Sequence, residues 1–280
     1  MAMSGVRAYA AGGFVALCLC VGLVSRWDEW LNESHAHWVD YPLKHRIGFE
    51  RHETVRPCTF IDLARGFLPC LLFLAVCDVL ICQRMRDDSI RFFTLHVFAN
   101  LVISLSSAPD MLRALSSPFH EPIGRCNVLP VYMIPALFIY HLTVFRCVSF
   151  DEWIHHLLFG GGIGGVGLAC APGPLMNAMA FFICGLPGGI DYIMLILVKK
   201  GHLTSATEKV WNARINVWLR SPGLMITGYA IVLVDQSVNV YVASPWLIAM
   251  VVGLAALNGQ YYMQRVVANT SHKVNGHGAC

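Results

Sequence analysis

Apolar stretches long enough to cross a lipid bilayer occupy most of this 280-residue chain. A membrane-spanning helix needs about 20 mostly apolar residues. Charged residues make up only 13% of the chain, which excludes both an ordinary soluble globule and a disordered polymer. The pattern predicts an all-α polytopic transmembrane bundle of seven to eight spans, with candidate spans at residues 8–25, 61–82, 92–112, 128–149, 153–170, 175–198, 222–240 and 245–264.

The first candidate span resembles a signal peptide in one respect, because Arg7 precedes its apolar run. No small-x-small cleavage motif follows before Trp27, so we predict an uncleaved span, with a signal peptide as the alternative. The chain then divides into three parts. These are a first span with its lumenal loop (1–59), a helix bundle (60–265) and a short cytoplasmic tail (266–280).

Cysteine usage and net charge narrow the classes of function. The 11 cysteines include no CxxC pair, and most lie in apolar runs, which is typical of small buried hydrophobic residues rather than of a zinc ribbon or a disulfide scaffold. The net charge is only +3 and there is no long basic block, so nucleic acid is not an expected partner. The histidines do not form the clustered boxes of a membrane di-iron site. We therefore expect neither a metal nor a bound cofactor.

Lysine and arginine residues orient the bundle, because they favour the cytoplasmic side of a membrane. With eight spans, they are more numerous on the side that carries the 83–91 loop, the 199–221 loop and both termini. We therefore predict that both termini are cytoplasmic. The glycosylation sequon at Asn32 falls on the predicted lumenal side, in agreement, whereas the sequon at Asn269 falls on the cytoplasmic side.

Ionisable side chains inside a membrane are costly, so each one is a candidate functional residue. From a rise of about 1.5 Å per residue, those of five spans lie at similar shallow depths below the cytoplasmic face. This placement predicts a polar cavity that opens towards the cytoplasm. The alternative is that each group reaches the headgroups or forms an isolated interhelical hydrogen bond. The residues concerned are Asp78, His96, His141, His155, His156 and Asp191.

Spacing pairs several of these residues with a second polar group. Asp151 and His155 are four residues apart and share a helix face, so the carboxylate could hold the imidazole as a general base or form a structural pair. His96 and Asn100 have the same spacing, and Asn177 lies near four turns from Asp191. We therefore predict catalytic roles for one set and lipid-cavity roles for another. The catalytic set is His155, His156, Asp151, His141 and Asp191, and the lipid-cavity set is His96, Asn100, Asp78 and Asn177.

A glycine-rich run and a basic rim lie near this slab of polar residues. The run Gly160–Gly167 contains two GxxxG spacings, which favour close helix packing. Lys199 and Lys200, with three arginines of the 83–91 segment, rim the predicted cytoplasmic face. Positive-inside orientation accounts for this rim, and attraction of an anionic headgroup or of acyl-coenzyme A as a substrate is the second interpretation.

Three short segments resemble the TLC-domain family of multi-pass membrane proteins, which includes the ceramide synthases. They are Arg91–Asn100 with its histidine, the stretch from Tyr140-His141 to His155-His156, and Pro174–Asn177. The resemblance covers roughly residues 60–265 and implies a protein of the endoplasmic reticulum that handles lipids. The second acidic cluster that follows the histidine pair of a ceramide synthase is missing here, so the resemblance points to other lipid-handling members.

Two functions of different class follow. The first is an enzyme that transfers or hydrolyses acyl chains, with His155 or His156 as base, Asp151 as its orienting carboxylate, and His141 and Asp191 positioning or stabilising charge. The second is a non-enzymatic lipid-binding, transport or regulatory protein. Both have membrane lipid as partner, and the residues do not identify the lipid, the oligomeric state or the organelle.

Overall fold

The computed structural model describes residues 60–85, 87–117, 126–145, 153, 156–165, 173–238 and 245–275, in which all regular structure is helical. The helices are α1 (Phe60–Leu80), α2 (Asp88–Ser116), α3 (Leu129–Val144), a π-helical segment (His156–Gly165), α4 (Pro174–Ala180), α5 (Leu186–Lys199), α6 (Ser205–Ile215), α7 (Ser221–Val238) and α8 (Pro245–Asn275). A π turn at Phe181–Gly185 joins α4 to α5, and a second at Asn216–Arg220 joins α6 to α7.

Four of these rods are long and apolar enough to cross a membrane: Gly66–Arg84, Asp88–Ser116, Pro174–Lys199 and Ser205–Val234. Helix α3 is apolar but shorter. Large apolar side chains also face outwards, and Leu68, Leu72 and Leu112 are each more than 60% exposed. A soluble monomer rarely tolerates such a surface. The predicted all-α membrane class is therefore confirmed, whereas the number of seven to eight spans stays a prediction and residues 8–25 lie outside the described part.

The segment 199–221, which the sequence analysis treats as a loop, is mostly helical. The chain leaves α5 through a tight turn in which Gly201 has a φ of 73°, a left-handed conformation that suits glycine. The hydroxyl of Thr204 then accepts a hydrogen bond from the amide of Thr207 at 3.1 Å and caps α6. Helix α6 continues through its π turn into α7, so one rod carries Lys209, Arg214 and Arg220, three of the charges that the sequence places in a loop.

Helix α2 is the central rod and packs against α1, α3, α4 and α5. One apolar core surrounds it on the side of α1 and α3 and contains Leu74, Leu95 and Tyr132. A second core joins α4, α7 and α8 and contains Met179 and Leu224. The π-helical segment packs against α3 and α8. A carbon placed on Gly160 would collide with the Phe138 ring, which agrees with the close packing predicted for the glycine run.

The helices alternate in direction, which gives the bundle two ends. Residues Leu80, Asp88, Val144, Lys199, Ser205 and Asn275 lie at one of them, which we name the Lys199 end. A hydrogen bond of 2.9 Å from the Thr270 hydroxyl to the Lys209 carbonyl ties α8 to α6 there. Helix α8 thus continues past residue 265, where the sequence analysis began a tail. The opposite end, with Ser116, Leu129 and Pro174, is named the Asp110 end.

The first turn of α2 at the Lys199 end is held by Asp87. Its carboxylate accepts hydrogen bonds from the amides of Ser89, at 2.8 Å, and Ile90, at 3.3 Å. These two bonds hold the pKa of this exposed carboxyl below its usual range, and the bond from Ser89 contributes most. The stabilisation by this cap is therefore present above the ordinary pKa of an aspartate and is lost as the pH falls through the lower folded value.

Candidate functional site

A cavity of about 910 Å³ lies between the two apolar cores, and α2, α3, α4, α5, α6, α8 and the π-helical segment contribute to its wall. One part of the wall is apolar and includes Ile103, Val131, Ile134, Leu137, Phe159, Ile163, Met176 and Met179. The other part carries polar groups, which are His96, Asn100, His141, Asp191, Tyr192, Asn212, Arg220, Asn258, Tyr261, Tyr262 and Arg265. The polar part belongs to the half of the bundle near the Lys199 end.

Two buried histidines face each other across the polar part. The ring centroids of His96 (α2) and His141 (α3) are 5.7 Å apart, with the rings nearly perpendicular. The ring of Phe92 contacts both, and that of Tyr192 lies 4.6 Å from His96. His96 Nδ1 lies 2.8 Å from the Phe92 carbonyl, which only accepts a hydrogen bond, so Nδ1 carries the proton and Nε2 is the basic nitrogen of the neutral ring.

A ladder of polar side chains runs along the rod of α6 and its π turn. Arg220 Nη1 donates to Asn216 Oδ1 at 2.9 Å, and Asn216 Nδ2 donates to Asn212 Oδ1 at 2.6 Å. Asn212 Nδ2 in turn donates to Asp191 Oδ1 on α5 at 2.7 Å and to Glu208 Oε1 at 3.2 Å. The ladder therefore connects a guanidinium at one end to carboxylates at the other, and it fixes α6 against α5.

Arg220 is the main site residue that the sequence analysis missed, because it was counted as a loop charge. The sequence does contain an indication of its role, because polar residues recur at every fourth position and so lie on one helix face. These residues are Glu208, Asn212, Asn216 and Arg220. All four are buried. The small residue Gly188 leaves room beside them, since an ideal Cβ there would lie 2.8 Å from Asn100 Nδ2 and 3.8 Å from Arg220 Nη2. Asn100 and Arg220 thus both lie next to Gly188 of α5.

Four of the residues expected from the sequence, His96, Asn100, His141 and Asp191, line this one cavity. Asp151 and His155 lie outside the described residues. His156 begins the π-helical segment, and its side chain also lies outside the described part. Within the described residues, no group of three or more His, Cys, Asp or Glu side chains is arranged to hold a metal ion.

Asp78 lies in a separate ion-pair network rather than on the cavity wall. Its carboxylate accepts hydrogen bonds from Arg91 Nε at 2.8 Å and Nη2 at 2.5 Å, and from the Tyr140 hydroxyl at 2.9 Å. The Arg91 guanidinium also stacks over Phe145, 4.9 Å from the ring centroid. This network ties together α1, α2 and α3 at the Lys199 end. A role in holding the helices explains the burial of Asp78.

Asn177 lies in a second network, at the Asp110 end. Its amide nitrogen donates to Asp110 Oδ2 and to the Asn127 carbonyl, both at 2.6 Å. The other carboxylate oxygen of Asp110 pairs with Arg113, and Oδ2 also accepts the Asn127 amide at 2.8 Å. Asn177 therefore connects α4 to α2 and to the start of α3. Fourteen positions separate it from Asp191, which is about 21 Å along a helix, so the two residues lie towards opposite ends of the rod formed by α4 and α5.

Part of the cavity wall also faces the surroundings of the protein. Leu158 on the π-helical segment and Leu257 and Tyr261 on α8 line the cavity, yet they are 43%, 65% and 54% exposed. The apolar character of this wall suits contact with hydrocarbon. An amphiphile in the bilayer could therefore reach the cavity between these two elements without passing through water.

No family model, no curated protein and no solved structure matches this chain.

Proposed function

We propose that this protein is a multi-pass membrane protein of lipid metabolism that holds one amphiphilic lipid in its intramembrane cavity. One observation carries the proposal, namely the division of a single cavity into an apolar part and a polar part. The volume of about 910 Å³ is near the upper end of the roughly 300–1,000 Å³ typical of small-molecule sites. An acyl chain matches the apolar part, and a hydrogen-bonding headgroup matches the polar part.

The resemblance to the TLC-domain family implies the same function. His96, Asn100 and His141 lie in two of the segments that carry the resemblance, and all three line the cavity. The proposal includes seven to eight spans, cytoplasmic termini and a location in the endoplasmic reticulum, as the resemblance and the charge distribution imply. The described residues at the Lys199 end are rich in lysine and arginine, which supports this orientation.

Acyl transfer or hydrolysis is the second candidate function, and the pair of imidazoles favours it. A neutral His96 presents a basic Nε2, which can accept the proton of an amine, hydroxyl or water as that group attacks an acyl carbonyl. With an acyl-coenzyme A, the new bond to the carbonyl carbon replaces the carbon–sulfur bond, and the proton leaves with the thiol. The predicted pair of His155 and His156 would serve the same role if it faces this cavity.

Lipid occupancy is tested by filling the cavity. Ile134→Trp places a large ring in the apolar part, so we expect the variant to lose most of the lipid that co-purifies with the wild-type protein, as measured by mass spectrometry of extracts. Ile139→Trp is the matched control, since Ile139 lies on the same helix and is 45% exposed outside the cavity. Equal lipid content in the wild type and in a folded Ile134→Trp variant would overturn the proposal.

The two candidate functions are separated by the fate of the bound lipid. An enzyme should convert acyl-coenzyme A in the presence of an amine, a hydroxy lipid or water, and His96→Gln or His141→Gln should abolish turnover while lipid still binds. A lipid binder should leave both the thioester and the lipid intact through a long incubation. His155→Ala and His156→Ala extend this test to the predicted histidine pair.

A further inference from the structure

Arg220 is a buried cation whose hydrogen bonds are incompletely satisfied. Its side chain lines the cavity and the residue is only 9% exposed. Nη1 donates to Asn216, but Nε is buried and has no hydrogen-bond partner among the described residues. None of the described carboxylates forms an ion pair with it. A buried charge normally requires an ionic partner or a complete set of hydrogen bonds.

The charges of the cavity wall point to the kind of partner. Among the described residues, the charged groups that line the cavity are Arg220, Arg265 and Asp191. The Asp191 carboxylate is already engaged by Asn212. Counting formal charges alone, two guanidinium groups and one carboxylate leave the wall with one positive charge in excess. A ligand with one negative charge would neutralise the cavity, whereas an uncharged lipid would leave the excess in place.

The neighbours of Arg220 place such a charge at the boundary between the polar and the apolar parts. Asn100, on the same helix as the apolar lining residue Ile103, reaches Gly188 next to the guanidinium. The side-chain amide of Asn100 can donate hydrogen bonds to the same ligand oxygen atoms as the guanidinium of Arg220. A guanidinium presents its donors in a fixed fork, which suits the two oxygens of a carboxylate or of a phosphodiester.

We propose that Arg220, assisted by Asn100, binds the single negative charge of an amphiphile, a fatty carboxylate or a phosphodiester headgroup, whose chain occupies the apolar part of the cavity. This inference rests on the proposed lipid-binding function and names the class of lipid. Asn216 and Asn212 hold the guanidinium in place through the ladder. Arg220 is also the cation that acts most strongly on the Asp191 carboxylate, and Arg265, on the exposed part of the wall, is the second cation of the cavity.

Matched pairs of ligands test the charge requirement in the wild-type protein. Purified, delipidated protein in a non-ionic detergent is titrated with oleate or methyl oleate, and with dioleoyl phosphatidylglycerol or dioleoylglycerol, while the thermal midpoint is followed by tryptophan fluorescence. A ligand that binds the folded state raises this midpoint. We expect at least one anionic lipid to bind about tenfold or more tightly than its neutral counterpart. The preferred pair distinguishes a carboxylate from a phosphodiester, and inorganic phosphate alone should have no effect.

Substitutions of single arginines then show which residue is responsible for the preference for anionic lipids. Arg220→Gln keeps a donor for Asn216 but removes the charge, so the tenfold preference should disappear, and Arg220→Lys should keep part of it. Arg214→Gln is the matched control because Arg214 is exposed on the same rod and packs over Trp211. If Arg220→Gln does not fold, the wild-type ligand pairs and the Arg220→Lys variant still decide the outcome.

The outcomes separate the two proposals. If the cavity binds lipid but oleate and phosphatidylglycerol bind no more tightly than their neutral counterparts, the charge proposal is wrong and lipid binding stands. The same holds if a folded Arg220→Gln variant retains the full preference. If none of the four lipids binds and Ile134→Trp changes nothing, the lipid-binding function itself fails and the charge proposal fails with it.

Discussion

The buried charged residues discussed above fall into two groups, according to whether they form an ion pair. Asp78 with Arg91, and Asp110 with Arg113, form ion pairs that are completed by hydrogen bonds from neighbouring helices. Arg220 has only an amide oxygen as its described partner. Because an isolated charge is far more costly in a low-dielectric interior than a paired one, the first group serves packing. The second group is where the proposed anionic lipid would supply the missing negative charge.

The Asp78 pair provides a test at the residue scale. Asp78 is fully buried, so Asp78→Asn leaves the Arg91 guanidinium without its counter-charge. The loss should be about 3 kcal/mol in the free energy of unfolding, the lower part of the range for a broken buried pair, since Arg91 is partly exposed. Reversible denaturation in mixed micelles measures it. Asp88→Asn, at an exposed position in the first turn of α2, should cost under about 1 kcal/mol; equal losses would refute the argument.

Depth along a span is what the sequence reveals about a polar residue, and it was sufficient for His96, Asn100, His141 and Asp191. It was not sufficient for Asp78, which lies near the same end of the bundle but contacts Arg91 and Tyr140 instead of the cavity. Asn177 was misplaced by its spacing from Asp191, since its depth puts it at the Asp110 end. The direction in which a side chain points depends on the rotation of each helix about its axis. That rotation is determined by packing, and neither hydropathy nor position in the chain reveals it.

Among the helices, the two π turns have the largest consequence for the site. Each lies within a long rod, between α4 and α5 or between α6 and α7. An extra residue in a turn rotates everything that follows, and such turns are frequent at functional sites. The first turn carries Ile183 and Cys184 and the second carries Arg220, and all three line the cavity. A regular period of 3.6 residues does not predict either π turn, although the recurrence of polar residues at every fourth position indicates the face that carries Arg220.

Close contact between the first π turn and α7 gives a test at the scale of elements. A carbon added to Gly223 would overlap the ring of Phe182, which is itself buried. Gly223→Ala should therefore cost about 1–3 kcal/mol through overpacking, seen as a lower thermal midpoint. Gly253→Ala is the matched control, because nothing lies within 4 Å of its added carbon. Adding Phe182→Leu to Gly223→Ala should restore part of the loss, and a midpoint that Gly223→Ala leaves unchanged would contradict the close contact.

For the molecule as a whole, the apolar pattern was enough to predict the class of fold, because the bilayer leaves few alternatives to helices. The prediction from hydropathy and charge was wrong for residues 199–221. Charges there suggested a loop, yet the apolar residues between them allow a helix whose polar face turns inwards. Because that face supplies Glu208, Asn212, Asn216 and Arg220, the error in one connection hid every described member of the polar ladder except Asp191.

The orientation of the whole bundle is the remaining prediction. Among the described residues, Arg84, Lys199, Lys200, Lys209, Arg214, Arg265 and Lys273 lie at the Lys199 end or on the rods next to it. Arg113, at the opposite end, is paired with Asp110. Since positive residues are retained on the cytoplasmic side, the Lys199 end should face the cytosol. The polar part of the cavity would then be closer to the cytosol than its apolar part.

Glycosylation mapping measures this orientation directly. A flexible loop with an acceptor sequon, inserted at the Gly201 turn, should stay unmodified in cells, whereas the same loop inserted after Ser117 at the Asp110 end should receive a glycan. Asn269, exposed near the Lys199 end, should stay unmodified as well. Asn32→Gln in both insertion variants removes the sequon on the predicted lumenal side, so each mobility shift reports the inserted loop alone. A glycan on the loop inserted at Gly201 would show that the bundle has the opposite orientation. His96, His141 and Arg220 would then lie nearer the lumen, where a cytosolic acyl donor could not reach them.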